Sequence, residues 1–234
     1  MDAILASLPL SSPAVPSPAP DPMAEANHRI ANSLALLAGL VRMQGASAKK
    51  KTGSYSSAEV CHLLAGVAAR ISTISQIHRI LSHGRADGVV NMQPHLKEIT
   101  DALAIALSSP EQQVRVVHSG GDCLVLMRHV QPIVLILCEI FINAMKYAHP
   151  AGAPLIIVVD CEPTPDGYLI LTISDDGVGL PEGFLPEKDG GMGFKVMYRL
   201  AQEIGSELKV LSTHLGLTFR LSLPAGTMAG AKLA

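Results

Sequence analysis

Val60, Leu64, Val67, Ile71, Ile74, His78 and Leu81 recur in alternating steps of four and three residues. That is the seven-residue period of a helical seam. Leu63, Ile77 and Ile80 widen it. A second helical pattern precedes it over Met23–Gln44. At about 100° per residue, Ile30, Leu34, Leu37 and Val41 form one narrow apolar stripe. Residues 45–57, with Lys49, Lys50, Lys51 and Gly53, read as the solvated loop between the two. Ser56 and Ser57, with Glu59 close behind, mark the start of the later helix. Two antiparallel helices cannot bury two seams within one hairpin. The economical solution is a four-helix bundle from two copies of the chain, so the pattern predicts a homodimer.

His28 falls almost opposite the stripe of the first helix. Glu25, three residues before it, and Asn32, four after, share its face. Ala35 and Gly39 continue that face with small side chains. The helix alone describes an ordinary surface histidine as well as it describes a docking face. Residues 9–22, P-L-S-S-P-A-V-P-S-P-A-P-D-P, exclude helix and ladder pairing and read as an extended tail. The tail suits a proline-binding partner or a plain leader.

Totals remove some classes. The net charge of −2 and pI near 6.5 leave no electrostatic footprint for nucleic acid and no polybasic membrane anchor. Cys61, Cys123, Cys138 and Cys161 are scattered without a C-x-x-C pair. They read as reduced thiols rather than metal ligands, with Cys61 and Cys138 as small buried hydrophobes. No apolar run reads as long enough to span a bilayer. Asp2, without a basic segment, argues against a signal peptide. The expectation is a cytoplasmic protein without membrane insertion, lacking a recognisable sensor domain.

The break at 84–93 and a helix from Pro94 to about Ser108 lead into a different texture. Val114–His118, Cys123–Met127, Leu155–Cys161, Tyr168–Ser174, Glu207–Leu211 and Thr218–Leu223 are short strand-like runs. Gly120-Gly121-Asp122 predicts a hairpin between the first two, and Asp166-Gly167 another between the third and fourth. Helices are predicted over Val130–Tyr147 and Met192–Ile204. The class is α+β, with one mixed, mostly antiparallel sheet and helices on one face.

Three stretches carry chemistry. On the helix 130–147, Glu139, Asn143, Lys146 and Tyr147 lie within about 100° of one another. An amide oxygen suits a hard cation such as Mg²⁺, and an ammonium offsets phosphate charge. A solvated helix face has the same pattern. Ile173-Ser174-Asp175-Asp176-Gly177-Val178-Gly179-Leu180 ends a strand in a carboxylate and continues into spaced glycines. Asp189-Gly190-Gly191-Met192-Gly193-Phe194 leads a glycine-rich turn into a helix start, where free N–H groups favour phosphate. Each of these turns also occurs as a plain connection.

Taken in order, E-x-x-x-N-A-x-K, D-x-G-x-G and G-x-G before a helix, the segment from Pro110 to Pro224 resembles the ATP-binding domain of the GHKL superfamily. The resemblance implies that Asn143 binds Mg²⁺ bridging the ATP phosphates and that Asp175 takes the adenine amine. Gly177 and Gly179 would shape the adenine pocket. Gly191, Met192 and Gly193 would line the phosphate side under a lid over 180–190. Lys146 would sit near the phosphates with Tyr147 beside it, and Glu139 would order the metal shell or polarise a nearby group.

Asn27-His28-Arg29-Ile30-Ala31-Asn32-Ser33-Leu34, with Ser75-Gln76-Ile77-His78 downstream, resembles the phosphoacceptor hairpin of the HWE-related histidine kinases. Pro181-Glu182-Gly183-Phe184 is similar to their short lid. Ala31, Ser33, Asp176, Tyr147 and Phe194 depart from the group's usual residues. The resemblance implies a tail over 1–22, a dimerisation and histidine-phosphotransfer hairpin over 23–90, and a Bergerat-type α/β sandwich over 91–225. A flexible end follows over 226–234.

The implied activity is autophosphorylation of His28 from ATP and transfer to an aspartate of a response regulator receiver domain. Glu25 would orient the His28 ring. Asn32 would align a water for the reverse, phosphatase reaction. Input would come from a separate sensor or regulatory protein. His78 reads as a packed residue, His62 and His83 as surface, and His149 as a helix-end cap. Two alternatives are a phosphatase or phosphotransfer module with regulatory ATP binding, and an anti-sigma-like protein that sequesters a partner.

Overall fold

The computed structural model describes residues 31, 34–35, 38–39, 41–42, 45–46, 49, 53–82, 88–109, 112–149 and 153–226. The described residues between 31 and 49 are all helical and belong to α1. Gly45, Ala46 and Lys49 are among them, so α1 extends into the predicted loop. Alanine and lysine favour helix, which offsets the roughly 1 kcal/mol that a glycine costs there. His28, Glu25 and Asn32, the proline-rich stretch, and residues 227–234 lie outside the described residues.

α2 (Ser57–Ser82) opens on a reciprocal cap. The Glu59 carboxylate accepts the backbone N–H of Ser56 at 2.9 Å, and the Ser56 hydroxyl accepts the N–H of Glu59 at 3.2 Å. This capping box satisfies donors that a helix start leaves open. The amino-terminal half of the seam faces outward: Val60, Leu64 and Ile71 are exposed, Leu64 by 63%. On α1, Leu34 and Val41 are exposed as well. Further along α2, Ile74, Ile77 and Ile80 are buried against α3 (Gln93–Leu107) and α4 (Val130–Tyr147). Arg79 forms an ion pair with Glu98 of α3.

α4 is the axis of the second half. Val130 and Pro132 through Phe141 are all buried, as are Ala144 and Met145. It packs against α2 and α3 and also contacts one face of a five-stranded sheet. That sheet has the order β2-β4-β5-β7-β6, with β2 (Val114–Gly120), β4 (Leu155–Pro163), β5 (Tyr168–Asp175), β6 (Leu208–Thr213) and β7 (Gly216–Pro224). Only β2 and β4 run parallel; the other pairs are antiparallel. Leu155, Ile157, Val159 and Cys161 alternate inward along β4, and Leu169, Leu171 and Ile173 along β5. The remaining helices are the short α5 (Pro186–Asp189), within the predicted lid, and α6 (Met192–Glu203).

Two expectations are corrected. β2 does not pair with β3 (Leu124–Leu126); β3 pairs antiparallel with β1 (Val89–Asn91). Asn91 explains the change of partner. Its Oδ1 accepts the N–H groups of Cys123 and Gln93, and its Nδ2 donates to Asp122 at 2.8 Å. The chain after Gly121 is thereby tied to the start of α3 instead of folding back on β2. Cys61 is exposed, whereas Cys123, Cys138 and Cys161 are buried, and all four are free thiols. Burial, with the Glu139 charge adding to it, pushes the Cys138 thiol up to about 12.

By length and composition, Glu59–Ser82 and Met127–Tyr147 are apolar enough to cross a membrane, which also departs from the sequence expectation. The second is the core helix just described.

Phe141, fully buried at the centre of α4, has no route to relax around a truncation. Phe141→Ala should destabilise the chain by about 3–5 kcal/mol, read as a lowered denaturant midpoint with unchanged slope.

Candidate functional site

α4 runs from core to surface along one polar row. Glu139 is 3% exposed, Asn143 is half-buried, and Lys146 and Tyr147 are exposed. The Lys146 ammonium lies 4.7 Å from the Tyr147 ring centroid, so these two form a cation–π pair at the open rim. At the buried end, each oxygen of Glu139 accepts from one guanidinium. Arg70 Nε lies 2.7 Å from Oε1, and Arg70 Nη2 lies 2.9 Å from Oε2. Burial opposes the charge of Arg70, but its hydrogen bond and attraction to Glu139 outweigh that and raise its pKa. Sequence reasoning missed Arg70. Its signal is that no other Asp, Glu, Lys or Arg lies between Glu59 and Arg79.

Two turns close on this helix. At the end of β5, Asp175 Oδ1 accepts the N–H groups of Gly177 at 3.0 Å and Leu217 at 3.2 Å. Both bonds fall on Oδ1, which leaves Oδ2 to accept from an exocyclic amine. Gly177 packs against the end of α4: a Cβ there would lie 2.5 Å from the Ala148 Cα. Val178 N–H donates to the Ala148 carbonyl at 2.9 Å. His149, also at this end, pairs its Nε2 with Asp176 Oδ1 at 3.0 Å. Gly179 adopts φ +72°, a conformation that strains any other residue.

The second turn carries Gly191 as the N-cap of α6. A Cβ on Gly193 would sit 3.2 Å from Glu139 Oε2 and 3.3 Å from Asn143 Nδ2. Among the described residues, the buried Asn143 Nδ2 has no hydrogen-bond partner. Such an orphaned amide beside a glycine turn at a helix start fits a polar ligand reaching both, as a metal-bound triphosphate would. The lid is anchored by aromatic contacts. Phe184 meets Phe194 at 6.3 Å between centroids, and Phe194 stacks on Phe219 at 6.1 Å.

The structure therefore brings Glu139, Asn143 and Gly193 together. It places Asp175 and Gly177 at the far end of the same helix, and Lys146 and Tyr147 on the rim. A separate open groove of about 520 Å³ is lined by Glu187, Lys195, Tyr198, Arg199 and Gln202. None of the predicted site residues lines it.

Residues 25–107 match the family model described as histidine kinase. Residues 129–227 match the one described as histidine kinase-, DNA gyrase B-, and HSP90-like ATPase. The sensor histidine kinase PdtaS of Mycobacterium tuberculosis is 27% identical over 180 residues, 75% of this chain and 33% of PdtaS. Blue-light-activated histidine kinase 2 of Erythrobacter litoralis is 22% identical over 206 residues, 86% of this chain and 56% of that protein. The chain thus spans a third to just over half the length of these relatives. Among solved structures, the histidine kinase domain of the Erythrobacter litoralis EL346 blue-light activated kinase superposes with a TM-score of 0.64 at 19% identity. That match covers 88% of this chain and 95% of the other.

Burial lifts the pKa of Asp175, with Asp176 adding and the two backbone hydrogen bonds and His149 opposing. A carboxylate whose folded pKa exceeds its unfolded value stabilises fully below the unfolded value, about 3.9. That contribution is lost as pH rises through the raised folded value. Asp175→Asn preserves the Oδ1 acceptor of both turn bonds and removes the ionisation. The variant should melt no lower than the parent at neutral pH, and thermal scans should show the parent gaining on it as pH falls from 6 toward about 4.

Proposed function

Because the chain belongs to the histidine kinases, joining a histidine kinase domain to an ATPase domain of the gyrase B and HSP90 type, we propose that it is an ATP-dependent protein-histidine kinase whose phosphoacceptor is His28. The single observation that carries the ATP side is the unpartnered Asn143 amide beside Gly193 and Glu139, on the helix whose far end meets the Asp175 turn.

In this reading Asp175 Oδ2 accepts from the adenine amine, Gly177 keeps the turn flat against the end of α4, and Gly179 lets it lie close to Ser212 and Thr213 at the end of β6. Asn143 would offer its side-chain oxygen to Mg²⁺ and Glu139 would order the metal shell; the ion would supply neutralisation of phosphate charge. Gly191, Met192 and Gly193 present backbone N–H groups to the phosphates. Lys146 and Tyr147 close the rim.

A neutral imidazole, with an ordinary pKa of about 6.5, holds a free lone pair at cellular pH. His28 uses it to attack the γ-phosphorus. An N–P bond forms, the bond to the β–γ bridging oxygen breaks, and ADP leaves. Such transfer needs mainly alignment and charge neutralisation. Glu25 orients the ring, and the group passes to an aspartate of a response regulator receiver domain. Asn32 aligns a water for the reverse reaction. A separate sensor or regulatory protein in the cytoplasm supplies the input.

Incubation with γ-labelled ATP and Mg²⁺ tests the assignment. The expected product is acid-labile, base-stable label that disappears in His28→Gln. Undiminished label in His28→Gln sinks the choice of histidine. Nucleotide binding without label, with faster dephosphorylation of a charged regulator, turns the reading to a phosphatase.

We further propose that the outward apolar side of α1 and α2 is the seam of a homodimer. Leu34, Val41, Val60, Leu64 and Ile71 supply it, and covering them with a second copy removes that surface from water. Sedimentation should show a dimer that Leu64→Asp with Ile71→Asp converts to monomer. A monomeric parent rejects the seam.

A further inference from the structure

Arg70 lies on α2, in the histidine kinase domain, yet its partner is Glu139 on α4. Both are buried: Arg70 is 7% exposed and Glu139 3%. The guanidinium is fixed on two sides. Nε and Nη2 take the two carboxylate oxygens, and Nη1 donates to the Gly66 carbonyl one turn back at 3.2 Å. The carboxylate so held is the one that borders Gly193 and lies one turn from Asn143.

Stability alone is a poor reason for this pair. Withdrawing two charges from water costs about what their attraction returns, and an apolar pair of equal size serves as well. Position is a better one. A carboxylate under the phosphate-side turn repels a triphosphate unless a cation offsets it. No Lys or Arg of α4 other than the exposed Lys146 is available to do so.

We propose that Arg70 is a positioning residue of the nucleotide site, supplied by the helix pair rather than by the ATPase domain. It fixes the Glu139 carboxylate beneath Gly193 and offsets its charge against the triphosphate. This rests on the nucleotide-binding reading above. It adds a consequence: the site is complete only while α2 is docked on α4, so movement of α2 changes affinity for the triphosphate. By reciprocity, the bound triphosphate favours the docked pose.

Calorimetry on the full chain, with a non-hydrolysable Mg–ATP analogue and with adenosine, tests it. Arg70→Gln should weaken the analogue about tenfold or more, as expected for an uncompensated charge near the phosphates, and leave adenosine within about twofold. Where Arg70→Gln does not fold, Arg70→Lys carries the test. It keeps the charge but breaks the bidentate fork, and should cost the analogue about threefold without affecting adenosine. Analogue and adenosine weakening in parallel, or neither weakening, makes Arg70 a structural ion pair only and overturns the proposal. A parent chain that binds neither probe overturns the nucleotide-binding reading, and this proposal with it.

Discussion

A carboxylate inside the most buried of the described helices is the constraint to which the rest answers. Glu139 sits among Cys138, Ile140 and Phe141, all without solvent contact. An ionised group there is costly unless it is paired and fully hydrogen-bonded. The pairing comes from outside α4, from Arg70 of α2. Packing of α2 on the ATPase domain and satisfaction of that domain's own core are therefore one event. Ile74, Ile77 and Ile80 bury the surrounding contact, but apolar packing tolerates sliding. A two-pronged ion pair does not, so it sets the register of α2 on α4.

The seam of α2 shows how one periodic pattern serves two purposes. Its heptad spacing reads as a single stripe, yet its amino-terminal half is exposed and its carboxyl-terminal half is buried. Two of the residues that widen the stripe, Ile77 and Ile80, are buried on the side packed against α3 and α4. Periodicity reports that a surface is to be covered; it carries no information on which partner covers it. The division falls near Arg70, where the polar requirement of Glu139 enters an otherwise apolar helix.

What was legible in the sequence was local. The limits of α4 coincide with its apolar run, and the β4–β5 turn with Asp166-Gly167, where Gly167 takes φ +81°. Asn143, Asp175 and Gly193 could be singled out from the sequence because each motif combines residue type with position on an element, and the structure sets all three on or against α4 and its adjoining turns. The hairpin expected at Gly120–Asp122 failed because β2 takes a parallel partner, β4, distant in sequence. Parallel pairing needs a long crossover and leaves no turn signal of its own. The true partner of β3 is three residues long, Val89–Asn91, too short for alternation to show. Arg70 was visible as an isolated charge, but its partner lies 69 positions away, and nothing local connects them.

Two groups along α4 are incompletely satisfied by the chain's own described residues. The buried Asn143 amide forgoes a hydrogen bond, worth roughly 1–3 kcal/mol in general. Asp175, next to the far end of the helix, is a half-buried carboxylate whose ionisation opposes its burial. Neither group is needed to complete the core: Phe141, Ile140 and Leu137 do that. A ligand with a cation and phosphates at one end and an amine donor at the other relieves both at once. Binding to the folded chain alone then adds stability by mass action. Because Glu139 is one turn from Asn143 and bound to Arg70, the same ligand acts on the contact that holds α2. The unsatisfied groups of the site and the docking of the helix pair are thus linked through a single turn of α4.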